Sequence, residues 1–188
     1  FAAVKKESLN QYLNYAAQAG IKVKTAEPSP ISLLRWYKFN ALTTEQKSVA
    51  LLELGADNLS ITLTIIKKEI PCFVREITLP NPLILDNHSE CNKTALERLM
   101  SEIHISFEYY RKWFQGEKIE KIIVFSQFGE QELLVKCLSH EIDLPVEAGA
   151  LKKGLKTKAY LSSELYLAAG AALSHKVKTK IKLNLYRP

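Results

Sequence analysis

The sequence predicts an α/β fold, a mixed sheet that contains an antiparallel three-strand meander and carries helices on its flanks. Three observations lead there. Two runs rich in leucine and β-branched residues, 49–54 and 59–66, flank the polar break Gly55-Ala56-Asp57-Asn58, and a third run follows over 70–74. A long segment after residue 92 repeats its apolar positions at helical spacing. Beyond it, an apolar run, an amphipathic segment and a second short apolar run form a strand-helix-strand unit over 121–147.

The meander is the centre of the chain. Its first run is apolar nearly throughout, as expected of a strand covered on both faces, whereas Ile61, Leu63 and Ile65 alternate with Ser60, Thr62 and Thr64 on a half-covered neighbour. Gly55, in a tight turn after a buried strand, is suited to bring backbone N–H groups to the end of the sheet, where an anion can approach.

Before the meander, residues 5–19 place Leu9, Tyr12, Leu13 and Ala16 at helical spacing, and Gly20 supplies the stop. Residues 21–25 read as a strand ended by Pro28-Ser29-Pro30, and 31–39 as a helix whose core face carries Leu33, Leu34, Trp36 and Tyr37. After the meander, residues 79–92 hold Pro80, Asn81, Pro82, Asn87 and Asn92, a loop signature. A helix capped by Asn92-Lys93-Thr94 or by Ser89-Glu90 then runs to about residue 115, where Gly116 ends it. Its stripe is Leu96, Met100, Ile103, Phe107, Tyr110 and Phe114. Residues 121–126 form a buried strand, 130–142 a helix with Leu133, Leu134, Cys137 and Leu138 inward, and 144–147 a short strand. Residues 162–175 form a helix with small residues around Gly170, and 176–183 alternate lysine with Val177, Thr179, Ile181 and Leu183 as an edge strand would.

Composition narrows the function classes. The 188 residues are 47% hydrophobic and 24% charged, the balance of a globular domain able to bury a core. No apolar run approaches the ~20 residues of a membrane helix. The chain opens on Phe1 rather than Met, so a piece of a longer protein is expected. Three cysteines, Cys72, Cys91 and Cys137, are an odd count without CxxC spacing, which argues against a disulfide framework and for a reducing compartment. His88-x-x-Cys91 and Cys137-x-x-His140 have the spacing of two halves of a zinc site. Cys137 falls on an apolar helix position and no knuckle brackets either pair, so a buried thiol and no metal are expected. From residue 151 onward nine Lys and Arg face one acid, which concentrates the basic character at the C-terminal end of a chain of net charge +6. Lysine without interleaved arginine or stacking aromatics does not predict nucleic acid as a partner. The same lysines suit an anionic membrane surface. No nucleophile elbow, Walker loop or glycosidase carboxylate pair is present in the spacing, and no catalysis is expected from this chain.

One resemblance joins these features. Glu53, a spacer and Gly55 at the end of one strand, a return strand, and a third carrying Pro71, Phe73, Arg75 and Glu76 resemble the second phosphate-binding hairpin of the actin-like ATPase superfamily. Within it the chain looks most like PilM-like proteins of bacterial type IV pilus assembly, in their C-terminal half. The helix, "AGI", short strand and Glu27-Pro28 of the N-terminal stretch, the Glu108-Tyr109-Tyr110 helix end and the "A-x-G-x-A" helix around Gly170 resemble the same family.

The resemblance implies an actin-like (ribonuclease H-like) mixed sheet and three segments: 1–46 leading in from a first lobe, 47–175 as the second lobe, and 176–188 as a lysine-rich strand or partner-type peptide. It implies Glu53, Gly55, Asp57, Asn58, Ser126, Gln127 and Gly129 as nucleotide-binding positions, with ATP and Mg possible in the full-length protein and none expected for this stretch alone. The pattern departs from the family where Glu53 replaces the usual Asp, Leu59 stands at a Thr or Ser position, and Ser126-Gln127-Phe128-Gly129 breaks a Gly-Gly pair. The final stretch, residues 182–188, resembles the "x-N-L-x-P" peptide by which a membrane-anchored PilN-like partner grips such proteins, which singles out Asn184, Leu185 and Tyr186. The function implied is a cytoplasmic scaffold, peripheral to the inner membrane, in a pilus or related secretion assembly, with oligomers allowed. The alternative is a genuine ATPase completed by a missing N-terminal half.

Overall fold

The computed structural model describes residues 4–40, 48–85, 90–115, 117–126, 130–149 and 163–186. Its elements are α1 (Lys6–Gln18), α2 (Ser29–Phe39), β1 (Ser48–Leu54), β2 (Ser60–Lys67), β3 (Ile70–Thr78), α3 (Lys93–Trp113), β4 (Ile119–Phe125), α4 (Glu130–Glu141), β5 (Val146–Ala148) and α5 (Ser163–Ala172). The five strands make one sheet in the order β3-β2-β1-β4-β5. β1, β2 and β3 pair antiparallel, and β4 joins β1 in parallel with β5 parallel beyond it.

β1 is central, and all seven of its residues are buried, as its unbroken apolar run requires. Its two faces feed two cores. Ala50, Leu52 and Leu54 point to the layer that holds Leu99, Ile103 and Tyr110 of α3 and Leu134 and Leu138 of α4. Val49 and Leu51 point to the other layer, with Leu33, Leu34, Trp36 and Tyr37 of α2 and Tyr166 of α5. The result is three layers, helices on both faces of a mixed sheet.

Two close approaches hold α2 to α5. A Cβ on Gly170 would stand 1.9 Å from the Ser32 carbonyl oxygen, so only glycine lets the helices meet there. Trp36 and Tyr166 pack with ring centroids 5.7 Å apart. On the opposite face, Asn92 caps α3 by accepting from the Ala95 amide, as its position predicts.

Three expectations are corrected. Residues 21–25 and 176–183 are not strands: both are irregular, and the backbone bond that ties the tail to the end of the first stretch joins the Leu185 N–H to the Ala26 carbonyl at 2.7 Å. The deepest line of α3 is Ala95, Leu99, Ile103, Ser106 and Tyr110, with Leu96, Met100, Phe107 and Phe114 on its flank. The cause is Glu102, buried where it takes Arg75 of β3 and Arg98 as ion-pair partners. Finally, Cys91 and Cys137 form a disulfide across 46 residues of sequence. Pairing two thiols that far apart depends on tertiary closeness, which neither the odd count nor the spacing encodes. Cys72 is the free thiol, and His88 lies outside the described residues.

Candidate functional site

Strand order places the predicted nucleotide positions together. β1 and β4 run parallel with Glu53 opposite Phe125, so the turn after β1 and Ser126 after β4 emerge at the same end of the sheet. β5 ends there too, with Ala148 opposite Val124. The carboxyl ends of parallel strands are where α/β sheets hold ligands. Glu53, Gly55, Asp57, Asn58 and Ser126 are thus brought to one edge, whereas Gln127 and Gly129 lie outside the described residues.

The turn is a closed hydrogen-bonded unit. The Gly55 N–H donates to the Ser60 carbonyl at 2.8 Å and the Asn58 N–H to the Gly55 carbonyl at 3.0 Å. Asp57 Oδ1 accepts from the amides of Leu59 and Ser60, both at 2.9 Å, and from the Ser60 hydroxyl at 2.8 Å. Those bonds, the Ser60 amide foremost, hold the Asp57 carboxyl below its ordinary range. What Gly55 contributes is space rather than backbone freedom, since a Cβ there would meet the Ser60 hydroxyl at 2.3 Å. The left-handed residue is Asn58, at φ +55°, a conformation asparagine tolerates. Its carbonyl accepts from the Leu83 N–H at 2.8 Å, which ties the turn to the loop before α3. Its side-chain oxygen is buried without a hydrogen-bond partner.

Chemically the turn offers little to a phosphate. Four of its amides are donated inside the turn, the Asp57 amide bonds its own carboxylate, and the Ala56 amide takes no part in that network. Glu53 is 8% exposed and Ser126 fully buried, both engaged with protein neighbours. No group of three or more carboxylate, thiol or imidazole side chains able to hold a metal occurs among the described residues. These residues alone do not fit a magnesium-bound triphosphate, and no chemical step is derived through one.

Two residues of this edge escaped the sequence reading. Glu130, the first residue of α4, is buried and engaged, close after Ser126 in the chain order. Gly149 follows β5, where a Cβ would strike the Phe125 ring at 2.3 Å. Glycine right after the short strand was the available signal. A buried acid at a helix start carries none in sequence.

The predicted partner-type residues form a second locality. Asn184 Oδ1 accepts from the Ala26 amide at 3.0 Å and from the Tyr186 amide at 3.1 Å, beside the Leu185-to-Ala26 bond. The segment thereby lies along residues 21–26 and against α1. Open clefts of about 390 and 450 Å³ flank it, the first lined by Leu9, Leu13 and Leu185, the second by Leu13, Ile21, Val23 and Tyr186. Further back, Lys180 donates to the Lys68 carbonyl at 2.9 Å, and Lys38 donates to the Lys178 carbonyl at 3.0 Å while pairing with Glu69. The tail is therefore fastened at the β2–β3 turn and again at residue 26.

No protein-family model matches the sequence, and no curated protein matches it. Among solved structures, the chain is similar to a chain of the PilM-PilN type IV pilus biogenesis complex, with 17% identity and a TM-score of 0.63 over 90% of this chain. It spans 58% of that neighbour's length. A Ppx/GppA phosphatase of Aquifex aeolicus aligns with 16% identity and a TM-score of 0.36 over 54% of this chain, too slight an overlap to carry an argument. The fold is actin-like, a mixed five-strand sheet with flanking helices.

Proposed function

We propose that the chain is a non-catalytic scaffold of a type IV pilus or related secretion assembly, and that it grips an extended peptide of a membrane-anchored, PilN-like partner. The observation that carries this reading is the seat of residues 184–186. An Asn-Leu peptide fastens there to an extended stretch beside a helix, through one main-chain bond and one asparagine side chain. Recognition of extended peptides by backbone bonds with flanking side-chain pockets is a recurrent binding mode. In this reading the chain's own segment stands in the partner peptide's place, and a partner carrying the same chemistry competes for it. Lys176, Lys178 and Lys182 then face an anionic bilayer, at about 1 kcal/mol each near the surface. The protein so read works on the cytoplasmic side of the inner membrane.

The test is a chain lacking residues 176–188 titrated with a labelled peptide of residues 180–188. Saturable binding, weakened about tenfold when Asn184 of the peptide is replaced by Ala, is expected, since two hydrogen bonds to its side chain are lost. The intact chain should bind the peptide far more weakly. Absence of binding by the truncated chain overturns the reading.

A second reading, a nucleotide-binding ATPase completed by another lobe, is favoured by the unengaged apex amide of Ala56 and the unpartnered side-chain oxygen of Asn58. Tight magnesium-dependent ATP binding by the full-length protein, abolished by Gly55→Val, would replace the scaffold by this alternative.

A further inference from the structure

The Cys91–Cys137 bond joins the loop before α3 to helix α4, two segments that also share one core layer. Cys91 ends the loop before α3 and bridges to Ile84. Its neighbour Asn92 donates its N–H to the Leu83 carbonyl at 2.7 Å, and Leu83 donates to the Asn58 carbonyl at 2.8 Å. One short chain of bonds thus runs from the hairpin turn to Cys91. On the other side, Cys137 lies on α4, whose first turn opens shortly after Ser126. Gln131 of that turn donates to the Val124 carbonyl of β4. The sulfur bridge is the covalent link between the turn after β1 and the helix after β4.

We propose that Cys91 and Cys137 are a reversible dithiol–disulfide pair whose oxidation state sets the rigidity of the 55–60 turn. Both residues are half-buried, so a small thiol or disulfide reaches them, and their Cα atoms stand 6.8 Å apart, within the span of a disulfide. Oxidation is a thiol–disulfide exchange with a low-molecular-weight disulfide such as glutathione disulfide. The thiolate of one cysteine attacks the reagent and expels one glutathione thiolate. The second cysteine's thiolate then attacks the mixed disulfide and expels the other, so two protein thiols become one disulfide and one glutathione disulfide becomes two glutathiones. Reduction reverses each step. Cys72 is unsuited to take part: its thiol donates to the Ile65 carbonyl at 3.3 Å, and burial pushes its pKa up, so less thiolate forms.

The turn belongs to the edge considered above for a nucleotide, yet amide exchange there reads the cysteine pair whether or not any peptide or nucleotide binds. The intact chain is equilibrated in glutathione buffers of graded ratio, alkylated and mapped, with hydrogen exchange followed at Asn58, Leu59, Ser60, Leu83 and Asn92. The pair should pass from thiols to disulfide within the graded series, and reduction should speed exchange at these amides by about tenfold or more. Cys91→Ser and Cys137→Ser should match the reduced protein and ignore oxidant, while Cys72→Ser keeps the response. The proposal is overturned by a pair that resists excess dithiothreitol in the folded protein, by exchange indifferent to reduction, or by two free thiols holding one equivalent of zinc that a chelator removes.

Discussion

Gly55 sits where a Cβ would meet the Ser60 hydroxyl at 2.3 Å, so the turn needs glycine there for space rather than for backbone freedom. Gly55→Ala should destabilise the fold by about 1–3 kcal/mol, because the new methyl group must displace the Ser60 hydroxyl from Asp57. Combining it with Ser60→Ala should recover part of that loss, and urea midpoints of the four forms give the coupling. Tyr110 makes a different prediction. Its phenol is fully buried, and with Ser48 donating to Glu117 at 2.7 Å, Tyr110 is the donor in its 2.9 Å bond to Ser48. Burial pushes its pKa from 10.0 to about 12. Between those values the unfolded phenol ionises while the folded one keeps its proton, so stability present below pH 10 is lost as pH climbs through about 12. Tyr110→Phe should cost about 1 kcal/mol near neutrality and flatten the alkaline decline in a denaturant series. Nearby, burial pushes the Glu117 carboxyl up, but the bonds from Lys67 and Ser48 outweigh it and its pKa is lowered.

Helix α5 meets α2 at Gly170, where the neighbour is the Ser32 backbone and cannot rotate away. Gly170→Ala should therefore part the two helices at a cost of about 3 kcal/mol, visible as a lower unfolding midpoint and as added fluorescence change at Trp36. Elements of this kind were legible in sequence because their periodicity survives folding. β1, β2, α3 and α4 stand within a few residues of their expected bounds. What failed did so for a physical reason in each case. The apolar alternation of 176–183 was that of a strand, yet a strand needs a partner ladder, and the tail meets residues 21–26 through a single main-chain bond at Leu185 among the described residues. The stripe of α3 was read from apolar residues alone, and Arg75 draws the polar Glu102 and Ser106 inward. The edge of the candidate site was half legible. Its residues converge through the parallel β1–β4 pairing, but that Asp57 and Gly55 direct their bonds to Ser60 depends on atomic closeness within the turn.

At the scale of the whole molecule, the described residues form a three-layer body with one helix, α1, outside it. Every other long helix has buried side chains on the sheet or on another helix, but α1 has no buried residue among its thirteen. Tyr12 and Tyr15 are largely exposed, and the tail segment is one of the few neighbours α1 has. A helix of that length is marginal in water without packing. Removing residues 176–188 should then lower far-ultraviolet helicity by more than the deleted residues account for, and added partner peptide should restore it. The same bareness governs how the protein ages in a cell extract. With Lys5 and Lys6 at its start, Lys22 and Lys24 beyond its end and no buried side chain to hold it, α1 should be the first place that trypsin-like proteases nick the chain, on either side, releasing that helix while the sheet remains whole.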